Sequence, residues 1–504
     1  MADIKDNKQP DESPSIMWFR QDLRLTDNPA CRATVCSTAE PYFIYIHAPE
    51  EEAPWQPGGA SLVWLHHSIA ALSESLEKIG GKLRLFQVGR DYPFQSTKAC
   101  LEAVIAQTKA RSLFWNRRYE PVVITRDKEL KAHFREKLDA VETFNGSLLK
   151  EPWEVRTKEG KPFQVFTPFW KTCLNQMDLD PPYPAPAKLP QPQPAGRLAG
   201  ECTLDDLRLL PHIAWDSGIK ESWQPGEAGA RKQLAKFLQI GLNDYQTMRD
   251  RPDREGVSRM SPYLHFGEIS ARLLWYEVKN FVSANPRASA AALAYLRELG
   301  WREFSHHLLY HFPGTTDKPL RKDFENFPWH KNEAALQVWQ RGKTGYPIVD
   351  AGMRELWHTG IMHNRVRMIV ASFLVKHLLL PWQDGARWFW DTLVDADLAQ
   401  NSLGWQWSAG CGADAAPYFR IFNPVLQGEK FDPDGLYVRK WVPELAKLSN
   451  NYIHKPWQAP PEELKRAGIT LGTTYPNPIV EHGQARATAL AAFQKIRTKH
   501  MDAK

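Results

Sequence analysis

PYFIYIHAPEEEAPWQPGGASLVWLHHSIAALSESLEKIGGKLRLFQV (residues 41–88) opens with a short apolar run, PYFIYIHA (41–48). It passes through a helical pattern, LHHSIAALSESLEKIG (65–80), and closes on a second apolar run, KLRLFQV (82–88). Two strand-length runs joined through a helix imply parallel pairing, because a tight turn joins only antiparallel strands. The alternation continues on both sides. SIMWF (15–19), SLFWN (112–116) and AVETF (140–144) read as further strands, and ACLEAVIAQT (99–108) and TRDKELKAHFREKL (125–138) as the helices between them. Residues 14–145 therefore read as a doubly wound α/β domain, a parallel sheet covered by helices on both faces. No G-x-G-x-x-G follows the first strand, so the usual dinucleotide fingerprint is missing.

Residues 1–13 read as a disordered tail. From 146 to 222 the periodicity fades, and PPYPAPAKLPQPQPAG (181–196) is too rich in proline for a helix or a central strand. That region reads as an interdomain linker. Beyond Trp223 helical periodicity takes over, in GARKQLAKFLQI (229–240), ISARLLWYEVKNFV (269–282), AALAYLRELGWREFSHHLL (291–309), NRVRMIVASFLVKHLLL (364–380) and ARATALAAFQKIRT (485–498). Residues 223–504 read as a larger, all-helical domain.

The bulk composition constrains partners only loosely. A net charge of +6 permits nucleic acid, but many ordinary proteins share it. Six scattered cysteines, with Cys31 and Cys36 lacking a matching second pair, argue against a zinc or iron–sulfur site. No metal is expected. No signal-peptide pattern and no run of about 18 apolar residues occurs, so the expectation is a cytoplasmic protein. The unusual figure is 20 tryptophans, a residue over-used at interfaces and cofactor sites.

Two of them, Trp405 and Trp407, fall in DADLAQNSLGWQWSAGCGADAAPYFRIFNP (395–424), with Asp395 and Asp397, Asn401, and Asp414 followed by a Tyr-Phe-Arg triplet. Large aromatics mixed with polar groups suit a buried pocket for a planar cofactor. Ser261 and Pro262 after Ser258-Arg259-Met260 read as an N-cap and a first helical position; such a helix start serves as a plain cap or holds a phosphate. Glu298, Trp301 and Arg302 share one helix face by spacing, as a substrate wall or as a solvated ion pair beside a core Trp.

Five of these segments, VSRMSPYLHFGEIS, GWREF, MHNRVRM, DADLAQNSLGWQW and DAAPYFRIFNP, occur in order and resemble the photolyase/cryptochrome flavoprotein family over nearly the whole chain. The resemblance implies FAD in the helical domain and an antenna chromophore, a folate such as methenyltetrahydrofolate or a deazaflavin, on the α/β domain. Motif by motif it implies that Tyr245, Val257, Ser258, Arg259, Met260, Ser261 and Tyr295 lie along the FAD. Arg367, Asp395, Ala396 and Asp397 belong beside its ring, and Asn401 faces N5. Trp405, Trp382 and Trp329 form an electron chain running outwards. Arg249, Glu298, Trp301, Arg302, Asn364, Arg365, Met368 and Trp407 meet DNA and its lesion.

Within the family, Asn401 is the repair-type residue, since plant cryptochromes typically have Asp there and animal ones Cys. Enzymes of the 6-4 type carry His at the positions of Asn364 and Met368. The chain also ends soon after its last family motif. The expectation is therefore light-driven repair of cyclobutane pyrimidine dimers in ultraviolet-damaged DNA by a monomer that associates with the nucleoid when it acts. Blue-light signalling by a cryptochrome, and then 6-4 repair, are the alternatives. Three departures stand out: Val257 where many relatives have Thr, Ile361 where they often have Trp, and Val122-Val123 after Tyr119-Glu120, where bacterial folate binders tend to have Asn-Glu.

Overall fold

A computed structural model describes residues 13–38, 40–189, 193 and 196–502. The expected tail lies almost wholly outside them, and the proline-rich stretch does so in part. Five parallel strands, β1 (Ser15–Phe19), β2 (Pro41–His47), β3 (Leu83–Gln87), β4 (Ser112–Asn116) and β5 (Ala140–Phe144), form one sheet in the order β3-β2-β1-β4-β5. Side chains alternate between its faces with period two. Ile16, Trp18, Ile44, Phe86 and Trp115 pack with Leu101, Val104, Leu130 and Phe134 of the helices Thr97–Thr108 and Pro121–Arg135. Met17, Phe19, Phe43, Leu85 and Phe114 point the other way, towards Trp64, Ile69 and Leu72 of the helix Gly59–Lys78.

That second face is where the two halves meet. Its core runs without a break into the helical half through Leu234, Phe237, Tyr263, Leu273, Leu299 and Phe304. Polar groups lock the same junction. Arg24, fully buried, donates to the carbonyls of Asp27, Gly146 and Gly267 at 2.7, 2.7 and 2.8 Å. Arg272 pairs with Asp27. Gly267 has φ 64°, and a Cβ there would meet the Gln21 carbonyl oxygen at 2.3 Å, so the close approach of these loops requires glycine.

The stretch 146–222 is more than an extended connector. It forms the helix Phe166–Asn175, and Phe166, Phe169, Trp170 and Leu207 are buried in the shared core. Pro168 lies in the first turn of that helix, where a proline is tolerated, and the helix is strongly one-sided in its apolar residues.

Glu268 is a wholly buried acid at this junction. One oxygen accepts from the Trp64 indole (3.1 Å) and the Gly226 amide (2.6 Å). Burial pushes its carboxyl up to about 8, and those bonds offset it only partly. The native state thus holds a proton that the unfolded chain has lost above its own carboxyl range, so stability falls as pH rises towards about 8. Glu268→Gln, which cannot ionise, is expected to raise the thermal midpoint at pH 8 and to change it little at pH 5. Calorimetry at the two pH values checks this, and an equal shift at both would contradict it.

Candidate functional site

The helical half encloses a cavity of about 910 Å³. The long helix Ser289–His311 presents Tyr295, Glu298, Trp301 and Ser305 to it, three or four residues apart and so on one face. Leu398–Ala409 adds Asn401, Trp405, Trp407 and Ser408. Asn364–Ser372 adds Asn364, Arg365, Arg367 and Met368. The segment Val257–Ser261 lines another wall with Tyr245.

An ionic cluster sits within this wall. Asp395, buried, accepts two bonds from one Arg367 guanidinium nitrogen (2.9 and 3.0 Å) and one from the Ser261 hydroxyl (2.6 Å). Arg367 is oriented by a further bond to the Met362 carbonyl at 2.7 Å. Ser261 is therefore not the N-cap that the sequence suggested. Met260 holds that position, and Ser261 spends its hydroxyl on the carboxylate instead. Arg259 adopts φ 55° and lays its guanidinium 4.0 Å over the Trp223 ring, an unusual backbone state for a residue with a side chain. Asn401 donates its amide nitrogen to the Ala386 carbonyl at 3.0 Å.

At the rim, Trp301 and Trp407 are half-buried. Trp301 stacks flat on Phe166, 3.8 Å between centroids at 6°. Arg249 pairs with Glu298 at 2.8 Å and Arg365 with Asp250 at 2.7 Å. Burial raises the Glu298 carboxyl, and Arg249 draws it back only in part.

Four residues expected at the site lie away from the cavity lining. Arg302 is one step, about 100°, round the helix from Trp301. It is buried and donates to the Ser147 carbonyl and hydroxyl, both at 2.9 Å, so its guanidinium points away from the cavity. Asp397 caps Leu398–Ala409 by accepting from the Gln400 amide at 2.9 Å, which turns its carboxylate away from the cavity. It faces His306 at 3.4 Å. Burial alone would raise this acid, but His306 first, then His265 and Arg302, outweigh it and hold it well below the usual carboxylate range. Trp382 and Trp329 stand behind Trp405. A Cβ on Gly385 would fall 2.1 Å from the Trp405 ring, so the helix Trp382–Thr392 lies directly against it. The His330 amide bonds to the Leu379 carbonyl at 2.7 Å, which brings the Trp329 segment to the foot of that helix. Trp405 and Trp382 are buried and Trp329 is partly exposed.

Sequence reasoning missed Phe166, Asp250 and His306. The first two lacked any local signal, and His306 was read only as part of an amphipathic helix. Among the described residues no group of three or more His, Cys, Asp or Glu could hold a metal ion, and no helix is long and apolar enough to cross a membrane.

A second cavity, about 500 Å³, lies between the halves at the carboxyl ends of β1 and β2. Trp18, Arg20, Tyr45, Trp55, Arg118 and Trp390 line it, with Glu120 to Val123. The Trp55 and Trp390 rings meet edge to face at 5.4 Å. Ala396 lines both cavities.

Residues 15–191 match the family model described as DNA photolyase, and residues 295–495 match the one described as the FAD binding domain of DNA photolyase. The chain is 47% identical to a deoxyribodipyrimidine photo-lyase of Agrobacterium fabrum, over 96% of this chain and 98% of that one. This chain belongs to the DNA photolyase family. It is also 40% identical to Cryptochrome-2 of Arabidopsis thaliana, over 96% of this chain and 79% of the cryptochrome. A solved bacterial class III photolyase from Agrobacterium tumefaciens superposes with a TM-score of 0.91 at 46% identity, covering 98% of this chain and 99% of that one. The matched FAD-binding domain thus supplies much of the larger cavity's lining, and residues from Ser222 to Ser261 supply the rest. The cavity's volume, aromatic walls and ionic cluster suit a large planar dinucleotide.

Proposed function

We propose that this chain repairs cyclobutane pyrimidine dimers in DNA under blue or near-ultraviolet light, as a deoxyribodipyrimidine photo-lyase, a carbon–carbon lyase. The observation that carries this reading is the double character of one cavity. The Asp395–Arg367–Ser261 cluster and Asn401 line it, and so do the half-buried Trp301, Trp407 and Glu298.

The chain's own residues have distinct tasks in this reading. Arg367, held by Asp395, would offer a fixed positive charge to a bound flavin. Asn401 offers a neutral amide near N5, which adds no negative charge to oppose a reduced flavin. The electron that opens the cyclobutane ring is supplied by reduced FAD when it is bound. Because the lesion sits in a duplex, it has to be flipped out to reach the cavity, as in photolyases generally. Trp301, kept flat by Phe166, and Trp407 stack on the splayed thymines. Glu298 hydrogen-bonds a base edge. Arg249, Arg365 and Asn364 hold the flanking backbone, and Met368 packs beside the lesion. Trp405, Trp382 and Trp329 would relay electrons inwards from the surface to FAD when it is bound. The second cavity, with tryptophan edges and several arginines, is where we place the antenna chromophore, folate or deazaflavin.

Fully reduced protein is expected to restore dimer-containing DNA only under light, and added salt is expected to weaken DNA binding as arginine–phosphate contacts release counterions. Illuminated, fully reduced protein that binds FAD yet leaves dimers intact would exclude repair. That outcome would favour blue-light signalling, for which the 40% identity to Cryptochrome-2 speaks.

A further inference from the structure

Arg249 and Asp250 are adjacent and oppositely charged, and each reaches a different wall of the rim. Arg249 pairs with Glu298 on the helix Ser289–His311, at 2.8 Å, while lying 5.4 Å over the Tyr245 ring. Asp250 takes two contacts from Arg365 on the helix Asn364–Ser372, at 2.7 and 3.3 Å through one oxygen. Arg365 is also seated 4.5 Å over the Phe431 ring. The neighbouring acid Asp253 is already taken by Arg251 and Arg254, at 2.7 and 3.1 Å. The dipeptide thus straps two walls of the cavity together through two ion pairs, all four side chains being partly exposed.

We propose that Asp250 is an intramolecular competitor for the phosphate-binding guanidinium of Arg365 and so sets how readily DNA is released. This rests on the repair reading, in which Arg365 holds backbone phosphate. A carboxylate and a phosphate oxygen make the same kind of charge-assisted bond to a guanidinium. DNA must therefore take Arg365 from Asp250 on binding, and Asp250 reclaims it on release. The competition acts on damaged and undamaged duplex alike. Asp250 thus lowers affinity without choosing between them, which favours turnover where product release is slow. Glu298 and Arg249 form the matching half of the strap: Glu298 is freed for the lesion only when Arg249 turns to phosphate.

The test is equilibrium binding of the FAD-loaded wild type, Asp250→Asn, Arg365→Gln and the double variant. Each is titrated with one duplex, with and without a single thymine dimer, at several salt concentrations. FAD content and thermal midpoint report that each variant is folded. Asp250→Asn is expected to tighten both duplexes about three- to fivefold, the scale of a partly exposed ion pair. The logarithmic salt dependence is expected to change by less than about 0.9, the value of one phosphate contact, because Arg365 meets phosphate in both proteins. In the Arg365→Gln background the same change is expected to do nothing, since the partner is gone. Under saturating light, turnover by Asp250→Asn is expected to slow at high DNA concentration and to rise at limiting DNA. Unchanged binding by Asp250→Asn, or tightening that persists in the Arg365→Gln background, would overturn the assignment while leaving repair intact. A wild type that neither prefers nor repairs dimers would sink the repair reading, and this proposal with it.

Discussion

Asp395→Ala is expected to emerge from purification nearly free of flavin. The substitution removes three hydrogen bonds and leaves the Arg367 guanidinium, three-quarters buried, with its bond to the Met362 carbonyl. Breaking one partner out of a buried ion pair costs about 3–5 kcal/mol. The partial exposure of Arg367 puts this case near the lower figure, equivalent to roughly 100-fold in an equilibrium constant. The loss falls on the cofactor because the cluster lines the cavity wall and does not belong to the apolar core. FAD-to-protein ratio after desalting is the measurement. Denaturant unfolding of the apoproteins separates loss of cofactor from loss of fold. Asp395→Asn, which keeps an acceptor for Ser261, is expected to fall between. A fully flavinated Asp395→Ala protein would show that the cluster does not orient the site.

Trp329→Phe is expected to reduce photoreduction of oxidised flavin to background while leaving repair by chemically reduced protein nearly unchanged. Phenylalanine is much harder to oxidise than indole, so a chain from Trp405 through Trp382 would lose its outer donor. Trp329 is partly exposed and its aromatic neighbour Phe327, at 4.3 Å, offers a similar contact to a phenyl ring. The structural cost should therefore stay within about 1.5 kcal/mol. Flavin absorbance under steady illumination with an external reductant gives the first rate, and dimer loss in darkness-controlled assays gives the second. Equal loss of both would mark Trp329 as structural.

Much of the architecture is legible in local spacing. Ile16 and Trp18 part from Met17 and Phe19 by the simple alternation of a strand, and each pair is found in a different core. The cavity wall from Tyr295 to Ser305 follows from helical spacing in the same way. What spacing cannot convey is the use of a side chain by something distant. Arg302 was grouped with Trp301, yet a single helical step sends it to Ser147, more than 150 residues earlier. Asp397 looked like a flavin contact, yet its carboxylate caps its own helix and meets a histidine from another. Phe166 backs Trp301 from a helix in the stretch that read as a linker. Asp250 had no periodicity at all, only the accident of lying opposite Arg365.

The core that runs from the sheet face into the helical half has a bearing on how such a molecule could have been assembled and how it can be handled. The α/β and helical halves share one apolar interior, sealed by Arg24 and Arg272. Neither half retains a closed surface without the other. Cutting the chain near residue 145 or 222 would lay bare Phe19, Trp64, Tyr263 and Phe304 together, a sticky face far larger than a soluble fragment tolerates. The two halves, so distinct in their patterning, share one interior and are expected to unfold together.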